Sequence, residues 1–278
     1  MSPALTDQQV GEILSGLAGA RLRKHHGLGN DFLVLIDLDD AFTVGPDTAR
    51  ALCDRHRGVG ADGLIRVTAG AGRAPLSMTL LNADGSGAET SGNGLRCLGQ
   101  AVVDAGVVPA GEFWVQTAAG LRRLTVGPTG PGGIAMVGAG MGPAALGPER
   151  EAPAGAIRAR AVDMGNPHLV VMVEDPAAVD LQHAGPAEEA RHPGGVNVEY
   201  ASARAGGITI RTWERGAGET MACGSGSCAA AAAFRSWGLV GDLVRVDNPG
   251  GPLEVRFEGE EIFLTGPAAR VGTVVVGE

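Results

Sequence analysis

Two glycine turns in this 278-residue chain are near copies, one opening with serine and the other with cysteine. The first reads Ser91-Gly92-Asn93-Gly94-Leu95-Arg96-Cys97. The second reads Cys223-Gly224-Ser225-Gly226-Ser227-Cys228, and Ser91 and Cys223 are 132 positions apart. The helix-like stretch behind each turn stops at a glycine, Gly106 and Gly238, again 132 apart. Other features repeat with them. Gly29-Asn30 feeds the apolar run 32–36, and Gly165-Asn166 feeds the run 169–173, each reading as a turn into a strand. Behind each helix, Ala118-Ala119-Gly120 or Pro249-Gly250-Gly251 leads into an alternating segment, 121–126 or 253–257. Period-2 alternation marks a half-buried strand.

These repeats predict an α+β fold of two pseudo-symmetric domains. Each is a curved, mostly antiparallel sheet or barrel around a central helix, with the two helix N-termini aimed at a shared cleft. Gly127-Pro-Thr-Gly-Pro-Gly-Gly133 reads as a turn cluster and a domain boundary, and residues 138–155 read as loop. Residues 1–20 stand apart. Thr6 is placed to cap a helix from Asp7 to about Leu17, with Gln9 completing a capping box. Val10, Ile13, Leu14 and Leu17 give that helix an apolar face for packing or for an interface.

Composition narrows the function. With 44% hydrophobic and 19% charged residues the chain is globular, and its 46 glycines imply many tight turns. Aromatic residues are only 4% and the net charge is −9, which argues against nucleic acid as a partner. No secretory signal and no apolar run of membrane-spanning length is found. Four cysteines without a dense framework fit a reducing cytoplasm, and their spacings do not suit a metal site.

A helix N-terminus offers unpaired N–H groups and partial positive charge, and glycines let an anion approach them. Two such ends make a cradle for a carboxylate and for charge developing beside it. A thiol at a helix mouth is expected to have a lowered pKa and to serve as a general base. A second proton-carrying group on the opposite face of the same carbon would return a proton with inversion. That is the logic of a cofactor-free racemase or epimerase. Cys223 is the first candidate, against the alternative of a buried structural cysteine. Cys228 and Cys97 read as helix-interior residues, and Cys53 has no evident partner.

The motifs resemble those of the diaminopimelate epimerase family. They are 24–32 (KHHGLGNDF), 53–63 (CDRHRGVGADG), 82–86 (NADGS), 92–97 (GNGLRC), 165–168 (GNPH), 196–199 (VNVE), 214–220 (ERGAGET) and 222–224 (ACG). The resemblance covers roughly residues 21–278. It implies two epimerase domains, 21–127 with 270–278 returning, and 128–269. It implies a mechanism free of pyridoxal phosphate and metal, interconverting LL- and meso-diaminopimelate. Cys223 would be one acid/base, with the amides of Gly92, Asn93, Gly224 and Ser225 holding the reacting carboxylate. Asn30, Asn82, Asn166, Asn197, Glu214 and Arg215 match substrate-binding positions, and His168 is a supporting residue. For Glu214 and Arg215 the alternative is a surface ion pair. The resemblance further implies a bacterial cytoplasmic enzyme of lysine and peptidoglycan biosynthesis, acting as a homodimer.

Ser91 departs from the family, which has a second catalytic cysteine there. A hydroxyl is a much weaker acid than a thiol. Ser91 is therefore the native partner in a Ser/Cys enzyme, a Cys→Ser substitution, or the mark of a related racemase, epimerase or one-base isomerase. A non-catalytic diamino-acid binder is a further alternative, which the intact Cys223 disfavours. Gly63 also departs, where some members carry glutamine.

Overall fold

A computed structural model describes residues 5–88 and 91–277. Residues 1–4 of the N-terminal extension and the final residue of the returning segment lie outside the described residues. The chain divides into two compact units, 1–137 with 267–278, and 138–266.

The first unit begins with helix α1 (Asp7–Ser15). Thr6 caps it and Gln9 closes the capping box. After α1 the chain buries Leu17 and Ala20 in a cluster with Leu22, Leu33, Leu52 and Val276. The extension is therefore a packing element. Strands β1 (Arg21–Gly27) and β2 (Asn30–Ile36), helix α2 (Pro46–Cys53) and strands β3 (Gly63–Ala71) and β4 (Ala74–Asn82) follow. Helix α3 (Gly92–Asp104), strands β5 (Gly111–Thr117) and β6 (Gly120–Val126), and β7 (Ile134–Gly142) complete the run.

The second unit repeats this plan. Strands β8 (Ala145–Arg150), β9 (Arg158–Asp163) and β10 (Pro167–Met172) precede helix α4 (Leu181–Ala190). Strands β11 (Asn197–Arg204), β12 (Gly207–Glu214) and β13 (Gly218–Thr220) lead to helix α5 (Gly224–Ser236). Strands β14 (Leu243–Asn248), β15 (Gly251–Glu258) and β16 (Glu261–Val275) end it.

The pairing pattern is the same in both. β1–β2 is antiparallel, β2–β3 parallel, β3–β4 antiparallel, β4–β5 parallel and β5–β6 antiparallel. β9–β10, β10–β11, β11–β12, β12–β14 and β14–β15 repeat that alternation. A parallel pair needs a long crossover. α2 and α4 supply the first crossover of each unit, and α3 and α5 the second. The short crossover helices were not legible in the repeat, because their apolar positions are few. In the first unit the sheet closes: β1 pairs on its far side with β16, which also neighbours β7.

α3 and α5 are each 13 residues long. Both end in a left-handed glycine, Gly106 at φ 71° and Gly238 at φ 74°. Val107 N–H bonds Val102 O, and Leu239 N–H bonds Phe234 O, each at 3.0 Å. These are the closing bonds of a Schellman motif. Nearly every residue of both helices is buried, Cys97 and Cys228 among them.

Residues 138–155 are only in part the loop their composition predicts, at 143–144 and 151–155. The others continue β7 to Gly142 and form β8. Residues 138–142 are all buried, so small side chains are there for close packing rather than for turning. Gly266-Pro267 lies inside the long strand β16. The chain passes from one unit to the other within β7 and within β16.

Candidate active site

Each central helix begins at its candidate acid/base. Ser91 is the N-cap of α3, and its Oγ accepts from Gly94 N–H at 3.0 Å. Cys223 is the N-cap of α5, and its Sγ accepts from Gly226 N–H at 3.3 Å. Serine is a favoured cap because its oxygen reaches the N3 amide. The thiol makes the same bond here. Both caps thus consume the N3 amide. The N–H groups of Gly92 and Asn93, and of Gly224 and Ser225, stay outside the intrahelical ladder.

The strands beneath the two helix ends carry different side chains. In the second unit His168 pairs with Asn197 across β10–β11, and Glu199 lies two residues along. His168 and Glu199 are 1% and 0% exposed. His168 Nδ1 meets Glu199 Oε1 at 2.8 Å, and His168 Nε2 meets Asn166 Oδ1 at 3.0 Å. A methyl group added at Gly226 would stand 2.5 Å from Glu199 Oε1. Glu214, at the end of β12, accepts from Thr220 Oγ1 at 2.6 Å. Asn197 accepts from Arg215 N–H at 2.9 Å and donates to Pro167 O at 3.1 Å, which fixes the strand end bearing Glu214 and Arg215. Arg215 lies exposed, with Nη1 donating to Gly194 O at 3.2 Å.

In the first unit the equivalent register positions are Phe32, Gly63 and Ile65. Ile65 Cδ1 lies 3.4 Å from the methyl position at Gly94, where Glu199 lies against Gly226. Asn82 pairs with Gly63 and donates to Ser86 Oγ at 3.0 Å. Gly63 has no room for the glutamine of other members as it stands: its Cβ would be 2.9 Å from Leu81 O. Asn30 is held at both ends. Its Nδ2 donates to Asp62 Oδ2 at 2.8 Å, and its Oδ1 accepts from Asn93 Nδ2 at 3.0 Å. Arg96, wholly buried, donates to Asn93 Oδ1 at 2.9 Å.

The electrostatics correct one expectation. The Cys223 thiol is not driven towards thiolate by the helix; it is pushed well above its ordinary range. Burial is the main cause, followed by the negative charge of Glu214 and then of Glu199. The Ser225 hydroxyl and the Gly226 amide oppose this without overcoming it. Glu214 is also pushed up, first by burial, with hydrogen bonds from Thr220 and Cys223 working against it and Glu199 adding to it. Cys53 and Cys97 are raised by burial to about 12, as suits inert core thiols.

Each unit therefore brings its own candidates together. Cys223, Gly224, Ser225, His168, Asn166 and Glu214 gather at α5, with Asn197 behind them. Ser91, Gly92 and Asn93 are at α3, with Asn30 bonded to Asn93. Glu214 and Arg215 are not paired with each other among the described residues. Sequence reasoning passed over Glu199 and Thr220. The signal for Glu199 was present: Asn197 and Glu199 alternate with Val196, Val198 and Tyr200. Among the described residues no group of three or more His, Cys, Asp or Glu is placed to hold a metal. No described helix is long and apolar enough to cross a membrane.

The fold recurs in solved structures of other proteins. It is shared with a hydroxyproline epimerase from Agrobacterium vitis (TM-score 0.70, 18% identity, 92% of this chain and 91% of that one). It is shared also with a PhzF-family phenazine biosynthesis protein from Bacillus anthracis (TM-score 0.70, 12% identity, 92% and 98%). At these identities the likeness is one of fold alone. Sequence is more specific: residues 22–146 and 160–271 match the diaminopimelate epimerase family model. A diaminopimelate epimerase from Alkalilimnicola ehrlichii is 38% identical over 273 residues, 90% of this chain and 96% of that protein. The chain belongs to the diaminopimelate epimerase family.

Proposed function

We propose that this protein interconverts LL- and meso-diaminopimelate by proton transfer at the α-carbon, without a cofactor. The observation that carries the reading is the pair of acid/base side chains, Ser91 and Cys223, each capping a buried helix at matching positions in a chain of this family. In the forward direction one group removes the α-proton as the C–H bond breaks. The electron pair is held on the carboxylate side, and the other group delivers a proton to the opposite face. The amides of Gly92, Asn93, Gly224 and Ser225 bind the carboxylate at the reacting carbon, where charge develops. Asn30, Asn82, Asn166 and Asn197 supply donors and acceptors, Glu214 accepts from an ammonium, and Arg215 clamps the distal carboxylate. His168 supports Asn166.

The raised Cys223 thiol is consistent with this work, since an acid/base must hold its proton as well as release it. A bound ammonium beside Glu214 would offset the negative charge that holds the thiol up. The reading places the enzyme in the diaminopimelate branch of lysine and peptidoglycan biosynthesis, in the cytoplasm. A homodimer is supported by exposed apolar side chains of the first unit, Ile134 and Met136 on β7 and Val271 and Val274 on β16.

One observation favours a second reading. Ser91 Oγ has only the Gly94 amide as a partner among the described residues, and Met78, Leu80 and Leu95 line the small cavity beside it. Among the described residues no base is bonded to this hydroxyl to activate it, which favours one-base exchange at Cys223. Incubation with LL-diaminopimelate in D2O separates the readings. Meso product carrying deuterium at the new centre is expected from the two-base enzyme. Deuterium exchange without inversion means that Cys223 acts alone. No exchange by this protein, with full activity in Ser91→Cys, overturns Ser91 as an acid/base.

A further inference from the structure

Glu199 is a buried carboxylate in the middle of a strand, and nothing in the catalytic scheme above uses it. Burying a charge is costly unless it is paired. Its Oε1 is engaged by His168 Nδ1 at 2.8 Å, while Oε2 is buried without a hydrogen-bond partner. The first turn of α5 is shaped around it. N3 of that helix is Gly226, and any side chain there would collide with Oε1 at 2.5 Å. The same N3 amide holds the Cys223 sulfur. The first unit shows what an apolar core would put there, because Ile65 occupies the corresponding place.

His168 is held at both ring nitrogens, Nδ1 by Glu199 Oε1 at 2.8 Å and Nε2 by Asn166 Oδ1 at 3.0 Å. Glu199 thus fixes the ring plane of His168. His168 in turn occupies Asn166 Oδ1, so the Asn166 amide presents its N–H groups outward. The titratable groups around Glu199 are His168 from β10, Glu214 from β12 and Cys223 from α5.

We propose that Glu199 is a positioning residue of this site: it orients Asn166 through His168, and its negative charge sets the field at the Cys223 sulfur. The proposal rests on the functional reading above for the identity of the substrate, but not for the effect on Cys223. After burial and Glu214, its charge lifts the Cys223 thiol further.

Two conservative variants separate the two effects. Glu199→Gln keeps the shape and removes the charge. The pH at which Cys223 becomes reactive to iodoacetamide, read on its own peptide by mass spectrometry, is expected to fall by about one unit. The ascending limb of kcat/KM is expected to fall with it. Glu199→Asp keeps the charge but withdraws the carboxylate from His168. KM is expected to rise about tenfold or more, the cost of one misoriented hydrogen bond, while the Cys223 alkylation profile stays with the wild type. An alkylation profile unchanged in Glu199→Gln overturns the field, and an unchanged KM in Glu199→Asp overturns the positioning. Loss of melting temperature with neither change assigns Glu199 to the fold alone. Alkylation needs no substrate, so it decides the matter even if diaminopimelate is not turned over. If Glu199→Gln does not fold, the KM of Glu199→Asp carries the test.

Discussion

The first turns of α3 and α5 have the same backbone and opposite surroundings. Each has a candidate acid/base at the N-cap, glycines at N1 and N3, and a Schellman stop. Under α5 lie His168, Glu199 and Glu214; at the matching register under α3 lie Phe32, Ile65 and Asn82. The repeat preserved the amide cradle and let the proton-handling groups diverge. Cradle geometry is a property of the backbone, which duplication copies whole. Acid/base strength depends on a few side chains, and each half was free to set its own. The cysteine half is rich in titratable neighbours and the serine half is poor in them.

The largest effect should come from breaking the richer half. Cys223→Ala is expected to lower α-proton exchange by about 10²–10⁴-fold, the usual worth of a positioned acid/base. Ser91→Ala is expected to spare exchange more than inversion. Deuterium wash-in and meso product, measured on the same samples, check both. Equal loss of both signals in the two variants would mean that the halves contribute alike.

Next come the two N3 glycines. Gly226→Ala drives a methyl against Glu199 Oε1 at 2.5 Å, whereas Gly94→Ala meets Ser91 Cβ and Oγ at 3.2 Å. Overpacking of the first kind costs about 1–3 kcal/mol. The second should stay within about 1 kcal/mol, since alanine's better helix propensity offsets the tight contact. Urea unfolding at constant m-value checks the difference, and equal losses would remove Glu199 as the reason for Gly226.

Much of this was legible in the sequence, for a physical reason. Turn, helix and stop are encoded locally, by caps and by left-handed glycines, so Ser91, Cys223, Gly106 and Gly238 announced both central helices. The Asn30 and Asn166 turns were legible in the same way. What was hidden is non-local. Glu199 reaches His168 only because β10 and β11 lie side by side, and Thr220 reaches Glu214 only through the β12–β13 turn. The thiol's upward shift came from burial and two carboxylates brought in by the fold, which outweigh the helix end that the sequence displays. Part of residues 138–155 misled, because glycine and alanine serve close packing as well as turning.

The braces behind the two asparagines offer a smaller test. Asn30 leans on Asp62, within a network where Asp31 meets Arg55 at 2.7 Å and Lys24 at 3.0 Å. Burial raises the Asp31 pKa, but the hydrogen bonds and charges of Arg55 and Lys24 outweigh it and bring it down to about 2. A carboxyl lowered by folding stabilises above its unfolded value, and that stability is lost as pH falls through about 2. Stability should thus decline below about pH 4, with at most about 2 kcal/mol resting on Asp31. Asp31→Asn should flatten this part of the curve. A wild-type slope retained in Asp31→Asn would assign the acid sensitivity elsewhere.

The smallest expected effect is on the last pair of counterparts, Glu214 and Asn82. Both sit at a strand end and both are bonded to a hydroxyl, Thr220 for Glu214 and Ser86 for Asn82. Only one of them titrates. The Thr220 hydroxyl stabilises the Glu214 carboxylate against burial and against Glu199. Thr220→Val keeps the volume and removes that donor, so the Glu214 pKa rises further. If ionised Glu214 receives an ammonium, the acid limb of kcat/KM then moves to higher pH, by up to about one unit for a lost hydrogen bond of ordinary strength. Ser86→Ala removes the donor's counterpart in the other half and should leave the acid limb where it is, because an amide has no proton to lose there. A shift in both variants, or in neither, would show that the two strand ends do the same electrostatic work, and that the asymmetry of the site lies in the caps alone.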